Sequence, residues 1–454
     1  MDQREVREQF QVEQNRYVSE LTEFLAFESV STDPAYHEKC LQCVDWLTGH
    51  LKGIGFSAEI LQTGGKPVVY AEYSPQSFDR TILFYGHYDV QPVDPIEEWT
   101  SPPFQAQLRD GRLYARGAQD NKGQLFYVLK ALEFLVSKNQ LAHKVKILIE
   151  GEEECGSKSV TEVLPSWRER LAADVLMVCD TGTPVKELNT ITMGLRGIVG
   201  LTVTLSGPRT DLHSGVHGGV APNPALEIAH LLSKLHDANG AIAIPGYYDD
   251  VPQYSPAEIQ AANAFTLSSE QYQAMSGVAP VAGEQNRSFS ERRGMRPTIE
   301  INGVHSGYGG AGMKTIIPAQ AFAKISSRLV AGQNPAVCLT RLEEFLKKNA
   351  PTGLLLEVSD QDHGGPGVRV PLDSPVIQSA REILKQVGTG QVALIWEGAS
   401  IPIVSSLVEA SGAQPLLVGF GLEEDNIHAP NESFALEQFE KGFLYAALFL
   451  SQKF

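Results

Sequence analysis

Long apolar runs are missing from this 454-residue chain. No stretch approaches the roughly 20 consecutive apolar residues that cross a bilayer, which excludes a membrane-spanning helix. The opening MDQREVREQFQVEQNRYVSELTEFL is charged and periodic, with no apolar signal core, and predicts an amphipathic surface helix. Cysteine is scarce: five residues, at 40, 43, 155, 179 and 338, do not make a disulfide framework in a chain of this length. Cys40 and Cys43 stand at i,i+3 in the helical pattern HEKCLQCVDWLTGHL, and no second CxxC exists to complete a zinc site, so they read as helix packing. A basic excess is absent as well. Lys plus Arg number 37 against 54 Asp plus Glu, a formal charge of -17 that repels phosphate backbones and gives no reason to expect a nucleic-acid partner. Internal repeats and low-complexity tracts are also lacking. Together these absences predict a cytoplasmic globular protein with no membrane or nucleic-acid partner.

What is present is a chain of ordinary globular composition, 43% hydrophobic and 20% charged, long enough for about two or three domains. TILFYG (81–86), VKILIE (145–150), DVLMV (174–178), QVALI (391–395) and PLLVGF (415–420) are short continuous apolar runs. Such runs are strands buried on both faces, as in a parallel sheet covered by helices. Segments such as NKGQLFYVLKALEFLVSK (121–138) supply the crossovers. Two of the runs come late, which implies a split sheet domain with an insertion. GLTVTLSG (200–207), PTIEINGV (297–304), FAKISSRLV (322–330) and LLLEVS (354–359) instead alternate apolar and polar residues, the pattern of strands with one exposed face. Helical patterns at 223–236 and 338–349 fall between them, giving the order β-α-β-β-α-β of a ferredoxin-like domain. The stretch 245–296 carries no clear strand. The expected architecture is α/β: a sheet domain from 1–189 and 367–454, and an inserted domain at 190–366.

In open α/β sheets ligands bind beyond the carboxyl ends of the strands. His87 and Asp89 follow the first run; Glu152, Glu153 and Glu154 follow the second; Cys179 and Asp180 the third; Trp396, Glu397 and Gly398 the fourth. A short acidic loop and His428 follow the last, and Asp120 stands where a helix is about to begin. Each has a plain structural alternative: Asp120 as a helix cap, a lone strand-end His bonded to backbone, the EEE triplet as a solvated run. Gathered on one rim, however, carboxylates without a cation would repel one another and take up protons. Divalent metal neutralises them, and a mixed His/carboxylate set suits zinc, with manganese or cobalt as alternatives. The ligand count suggests two ions, which at a spacing of about 3.5–4 Å would clamp one hydroxide for attack.

GHYDVQP (86–92), ARGAQDNKG (115–123), EGEEECGS (150–157), DLHSGVHGG (211–219), KTIIPA (314–319) and EGASIP (397–402) resemble, in order and over nearly the whole chain, the motifs of one metallopeptidase family. That family includes carnosine dipeptidases, carboxypeptidase G, acetylornithine deacetylase and succinyl-diaminopimelate desuccinylase, and the likeness is strongest to its dipeptidase branch. The resemblance implies that His87 and Asp180 hold one ion, Glu154 and His428 the other, and Asp120 bridges. Asp89 would orient His87, and Glu153 would be the general base and acid. The triplet allows Glu152–Glu153 or Glu153–Glu154 as the base–ligand pair; the spacing to Gly156–Ser157 favours the second and leaves Glu152 a solvated extra acid.

The resemblance also makes the inserted domain a lid and a dimerisation surface. His213 and Thr315 would reach the neighbouring subunit's site in a homodimer, His213 as a donor to the oxyanion. Arg328, Ser400 and Gly398 would bind the carboxylate of a small peptide, while Glu397 meets a substrate amine or supports the site from behind. The implied reaction is metal-dependent hydrolysis of dipeptide or short-peptide amide bonds, with N-acyl amino acid deacylation as the alternative and a non-catalytic binding protein as a remoter one. Of the other histidines, 37, 50, 143, 230 and 236 read as surface or packing residues, and 217, 305 and 363 as residues of Gly-rich loops.

Overall fold

A computed structural model describes residues Met1–Phe454, which form two compact units. The first comprises Met1–Met193, Val370–Leu394 and Ser406–Phe454; the second comprises Gly194–Arg369 and Ile395–Ser405. The expectation gave everything after residue 366 to the sheet domain, and the Ile395–Ser405 segment departs from it. The cause is polar: within the second unit, Arg196 Nε donates to the Gly398 carbonyl at 2.9 Å, Arg293 pairs with Glu397 at 3.0 Å, and Arg328 donates to Ser400 Oγ at 2.8 Å. No helix is long and apolar enough to cross a membrane.

In the first unit the sheet runs in the order Ser57–Leu61, Val68–Tyr73, Lys144–Glu150, Thr81–His87, Val175–Val178, Gln414–Leu417, Asn189–Leu195. The four strands from Lys144–Glu150 to Gln414–Leu417 are parallel to their neighbours, and antiparallel strands flank them. Val392–Glu397, expected among the buried parallel strands, lies off this path and pairs with Asn189–Leu195. Its last residues already belong to the second unit.

The register places the functional rim. His87 stands opposite Glu150, and Tyr85 opposite Val178, so three neighbouring strands end together. Helices cover the sheet. Helix Lys122–Ser137 is buried along nearly its whole length and packs against helix Leu436–Ser451. The two approach so closely at Gly442 that a Cβ there would come within 2.5 Å of the Tyr127 ring. Helix Gln3–Leu25 begins at Asp2, whose side chain accepts the Arg4 N–H, and buries Val6, Phe10, Tyr17 and Leu21 at helical spacing. Helix His37–Gly53 buries both Cys40 and Cys43, as packing residues.

The second unit is built on a sheet in the order Thr298–Ser306, Gln320–Leu329, Gly197–Ser206, Leu355–Gly365, with every neighbouring pair antiparallel. Helices Pro224–Ser233 and Pro335–Lys348 bury Ile228, Leu231, Leu339 and Leu342 against Val199, Val203 and Ile325 of the sheet. Both helices start at an Asn-Pro pair: Asn223 and Asn334 cap the first turn, and proline at the first helical position loses no needed N–H. His305 and His363 lie in strands rather than Gly-rich loops, and His305 stacks on Phe322 with ring centroids 4.8 Å apart.

Candidate metal centre

The strand ends of the first unit bring two acid–histidine triads together. His87, Asp120 and Asp180 form one; Asp120, Glu154 and His428 form the other; in each triad the facing atoms lie within 4.8 Å of one another. Asp120 belongs to both. One of its oxygens is 3.2 Å from His87 Nε2 and the other 3.0 Å from His428 Nε2. Asp180 Oδ2 is 3.7 Å from His87 Nε2, and Glu154 Oε2 is 3.3 Å from His428 Nε2. Asp120 does not cap the following helix: the cap position is Asn121, and it makes no side-chain cap bond.

Supporting contacts fix these groups. His87 Nδ1 is 3.1 Å from the Asp89 carbonyl and 3.3 Å from its carboxylate, so the ring's other nitrogen faces the triad. The Asp89 carboxylate also accepts the N–H groups of Glu153, at 3.3 Å, and Glu154, at 3.1 Å. One buried acid thereby ties the His87 strand to the turn carrying Glu153 and Glu154. Two partners had no signal that sequence reasoning used. Asn121 donates to Asp180 Oδ1 at 2.9 Å and to the Cys179 carbonyl at 3.0 Å, and Gln91 donates to Glu154 Oε2 at 2.7 Å. Both sit inside recognisable motifs, but an amide carries no charge to mark it. Glu152 is not a freely solvated acid: it lies against Gly65, and one of its oxygens is buried without a partner.

Burial and crowding set the titration. Burial opposes charge on His87, yet Asp120, Asp89 and Asp180 outweigh it and raise its pKa well above the usual imidazole value. Bonds to Asp120 and Glu154 lift His428 to about 10. Burial and then the Asp120 charge push Asp180 up to about 7. Glu153 is driven well above the ordinary carboxylate range by burial, with His87 opposing and Asp180, Asp120 and Glu154 adding to the rise. Glu150, buried beneath the site, rises to about 7 for want of solvent and because Asp89 is near. The three carboxylates of the triads, Asp120, Asp180 and Glu154, favour cations, and the two triads fit two divalent ions: each offers one imidazole nitrogen and two carboxylates, with Asp120 shared. His87 is fully buried, whereas the His428 side chain is 51% exposed.

The other predicted residues lie in the second unit. The His213 strand pairs with Ile316–Ile317, and the Ser214 N–H donates to the Thr315 carbonyl at 3.0 Å, so exposed His213 and Thr315 share one ribbon. His213 Nδ1 accepts the Gly215 N–H at 3.1 Å, which leaves the proton on Nε2. Arg328 and Ser400 meet directly. Arg196 lies beneath the same loop, its pKa lowered to about 10 by burial and then by the Arg328 charge. A Cβ on Gly398 would come within 2.9 Å of both Arg196 Nη2 and the Arg293 carbonyl, so the position requires glycine. Glu397 is committed to Arg293.

Two triads sharing one carboxylate, at the carboxyl rim of a parallel sheet, define a candidate two-metal hydrolase centre. The chain belongs to peptidase family M20/M25/M40, whose model matches residues 83–452, and is a metallopeptidase of that family. The Beta-Ala-His dipeptidase of Homo sapiens is 29% identical over 459 residues, spanning 96% of this chain and 90% of the relative. A Cys-Gly metallodipeptidase of Schizosaccharomyces pombe is 27% identical over 452 residues, spanning 94% and 93%. The crystal structure of an M20 family metallo-carboxypeptidase from Sulfolobus solfataricus matches with a TM-score of 0.85 and 32% identity over 96% of this chain and 98% of that one.

Proposed function

We propose that this protein hydrolyses the amide bond of dipeptides or short peptides with a free carboxylate, using two zinc ions held by His87, Asp120, Asp180, Glu154 and His428. The observation that carries the reading is the pair of triads sharing Asp120. Two relatives named as dipeptidases, aligned over 94–96% of this chain, support the substrate class.

When bound, the ions would polarise the scissile carbonyl and lower the pKa of an attacking water. Glu153 takes the water's proton on its carboxylate and passes it to the leaving amide nitrogen. His213 donates from Nε2 to the developing oxyanion, the tautomer being set by the Gly215 N–H. Arg328, with Ser400 beside it, pairs with the substrate carboxylate through its planar fork. In this reading His213 and Thr315 act on the partner's site in a homodimer. A cytoplasmic location is supported by five free cysteines, four of them buried.

The test is a panel of dipeptides, their C-terminal amides, and N-acetyl and N-succinyl amino acids. Free-acid dipeptides are expected to turn over fastest, with the amides losing most of kcat/KM. Preferred release of acetate or succinate would make the protein a deacylase on the same metal core.

A further inference from the structure

Asp120 is carried by a stretch, Ala115–Asn121, that belongs to no helix or strand, so its N–H groups need partners outside regular structure. They find one. The carboxylate of Glu432, 1% exposed, accepts the N–H of Gln119 and of Asp120 on one oxygen, each at 3.0 Å. Its other oxygen accepts the Gly117 N–H at 2.8 Å and Arg116 Nη1 at 2.9 Å. The Ala115 N–H donates to the Glu432 main-chain carbonyl at 3.1 Å. Arg116, equally buried, also donates to the Pro92 carbonyl at 2.9 Å. A single side chain thus organises the whole loop that presents Asp120.

Glu432 stands four residues after His428. The turn from Asn426 to Glu432 holds non-glycine residues in the left-handed region at Asn426, His428 and Asn431, with φ of 57°, 60° and 63°. Such a turn keeps its shape only when tertiary bonds impose it. Asn431 supplies two, accepting the Thr100 N–H and donating to the Glu98 carbonyl, each at 2.8 Å. Glu432 joins this turn to the Asp120 loop through a carboxylate that accepts four hydrogen bonds, beside the direct contact of His428 with Asp120.

We propose that Glu432 is a positioning residue that sets the spacing of Asp120 and His428, and so holds the Asp120–Glu154–His428 triad in register for its ion. The His87–Asp120–Asp180 triad has its own supports in Asp89 and Asn121. Losing Glu432 therefore affects the two ion-binding steps unequally. The proposal rests on the two-ion reading above.

The test titrates zinc into chelator-stripped full-length protein against a chromophoric competitor, with melting temperature followed in parallel. Wild type is read first. Uptake of two ions per chain is expected; a single ion would overturn the two-ion reading and this proposal with it. In Glu432→Gln the side-chain NH2 faces backbone donors, and the second ion is expected to bind at least tenfold more weakly, with the first changed less than threefold. Glu432→Asp keeps the charge for Arg116 but draws the oxygens back by one methylene. The same selective loss is expected there, and this variant carries the test if the glutamine variant does not fold. Equal weakening of both steps, or a lowered melting temperature with both steps intact, overturns the proposal by reducing Glu432 to a fold-stabilising residue.

Discussion

Asp89 shows how much of the centre depends on one buried acid. It holds the His87 ring and also accepts the main-chain N–H groups of Glu153 and Glu154, so the proposed ligands and the proposed base are aligned by the same carboxylate. Glu153 itself makes no side-chain bond to the triads, and its elevated proton affinity follows from burial among their charges. Glu153→Gln preserves shape and removes the proton acceptor. It should lower kcat by about 10²–10⁴ while two ions remain bound, the range that general acid–base catalysis contributes. Near-normal kcat would show that the shuttle lies elsewhere. At this level the charged residues were legible in the sequence because each follows a buried strand or opens a helix. Asn121, Gln91 and Glu432 were not, since their value lies in which N–H or oxygen they meet, and that is decided by chain segments distant in sequence.

Secondary-structure elements carry the next set of consequences. The contact between helices Lys122–Ser137 and Leu436–Ser451 depends on Gly442, whose missing side chain leaves room for Tyr127. Gly442→Ala should destabilise the protein by about 1–3 kcal/mol, the usual effect of overpacking a filled core, measured by denaturant unfolding. Helix His37–Gly53 carries His50 stacked on Trp46 at 4.9 Å, with its pKa lowered to about 4 by burial and then by the Lys130 charge. The unfolded chain, with an ordinary imidazole near 6.5, takes up this proton first. The stability His50 contributes is therefore complete above about pH 6.5 and is lost as pH falls toward 4. His50→Phe keeps the stack and should lose about 1–2 kcal/mol less than wild type between pH 7 and pH 5. Equal acid losses would remove His50 from the account. Strand positions were readable from hydrophobic period, and the exception is instructive. QVALI reads as a buried parallel strand, yet Val392–Glu397 lies off the main path. Apolar period reports burial, whereas the arginines that draw the following loop into the second unit act at long range.

Across the whole molecule, the acidic balance of -17 is compatible with a centre that attracts divalent cations, and the two units hold different groups. The first contains every group of the two triads; the second contains His213, Thr315, Arg328 and Ser400, proposed to act on substrate. The β-α-β-β-α-β order of the second unit was legible because its strands alternate and its helices open at Asn-Pro pairs. The segment Ile395–Ser405 was not, because no composition change marks it. If native protein takes up ions that the unfolded chain does not, zinc at a hundred times Kd should add about 2.7 kcal/mol of stability per site filled, and a chelator should remove it. The most direct measurement combines both properties: dipeptide hydrolysis and bound metal per chain, followed together as zinc, manganese or cobalt is returned to chelator-stripped protein. No hydrolysis is expected without metal, with full recovery as the second ion binds. Undiminished hydrolysis by metal-free protein would contradict the two-ion reading.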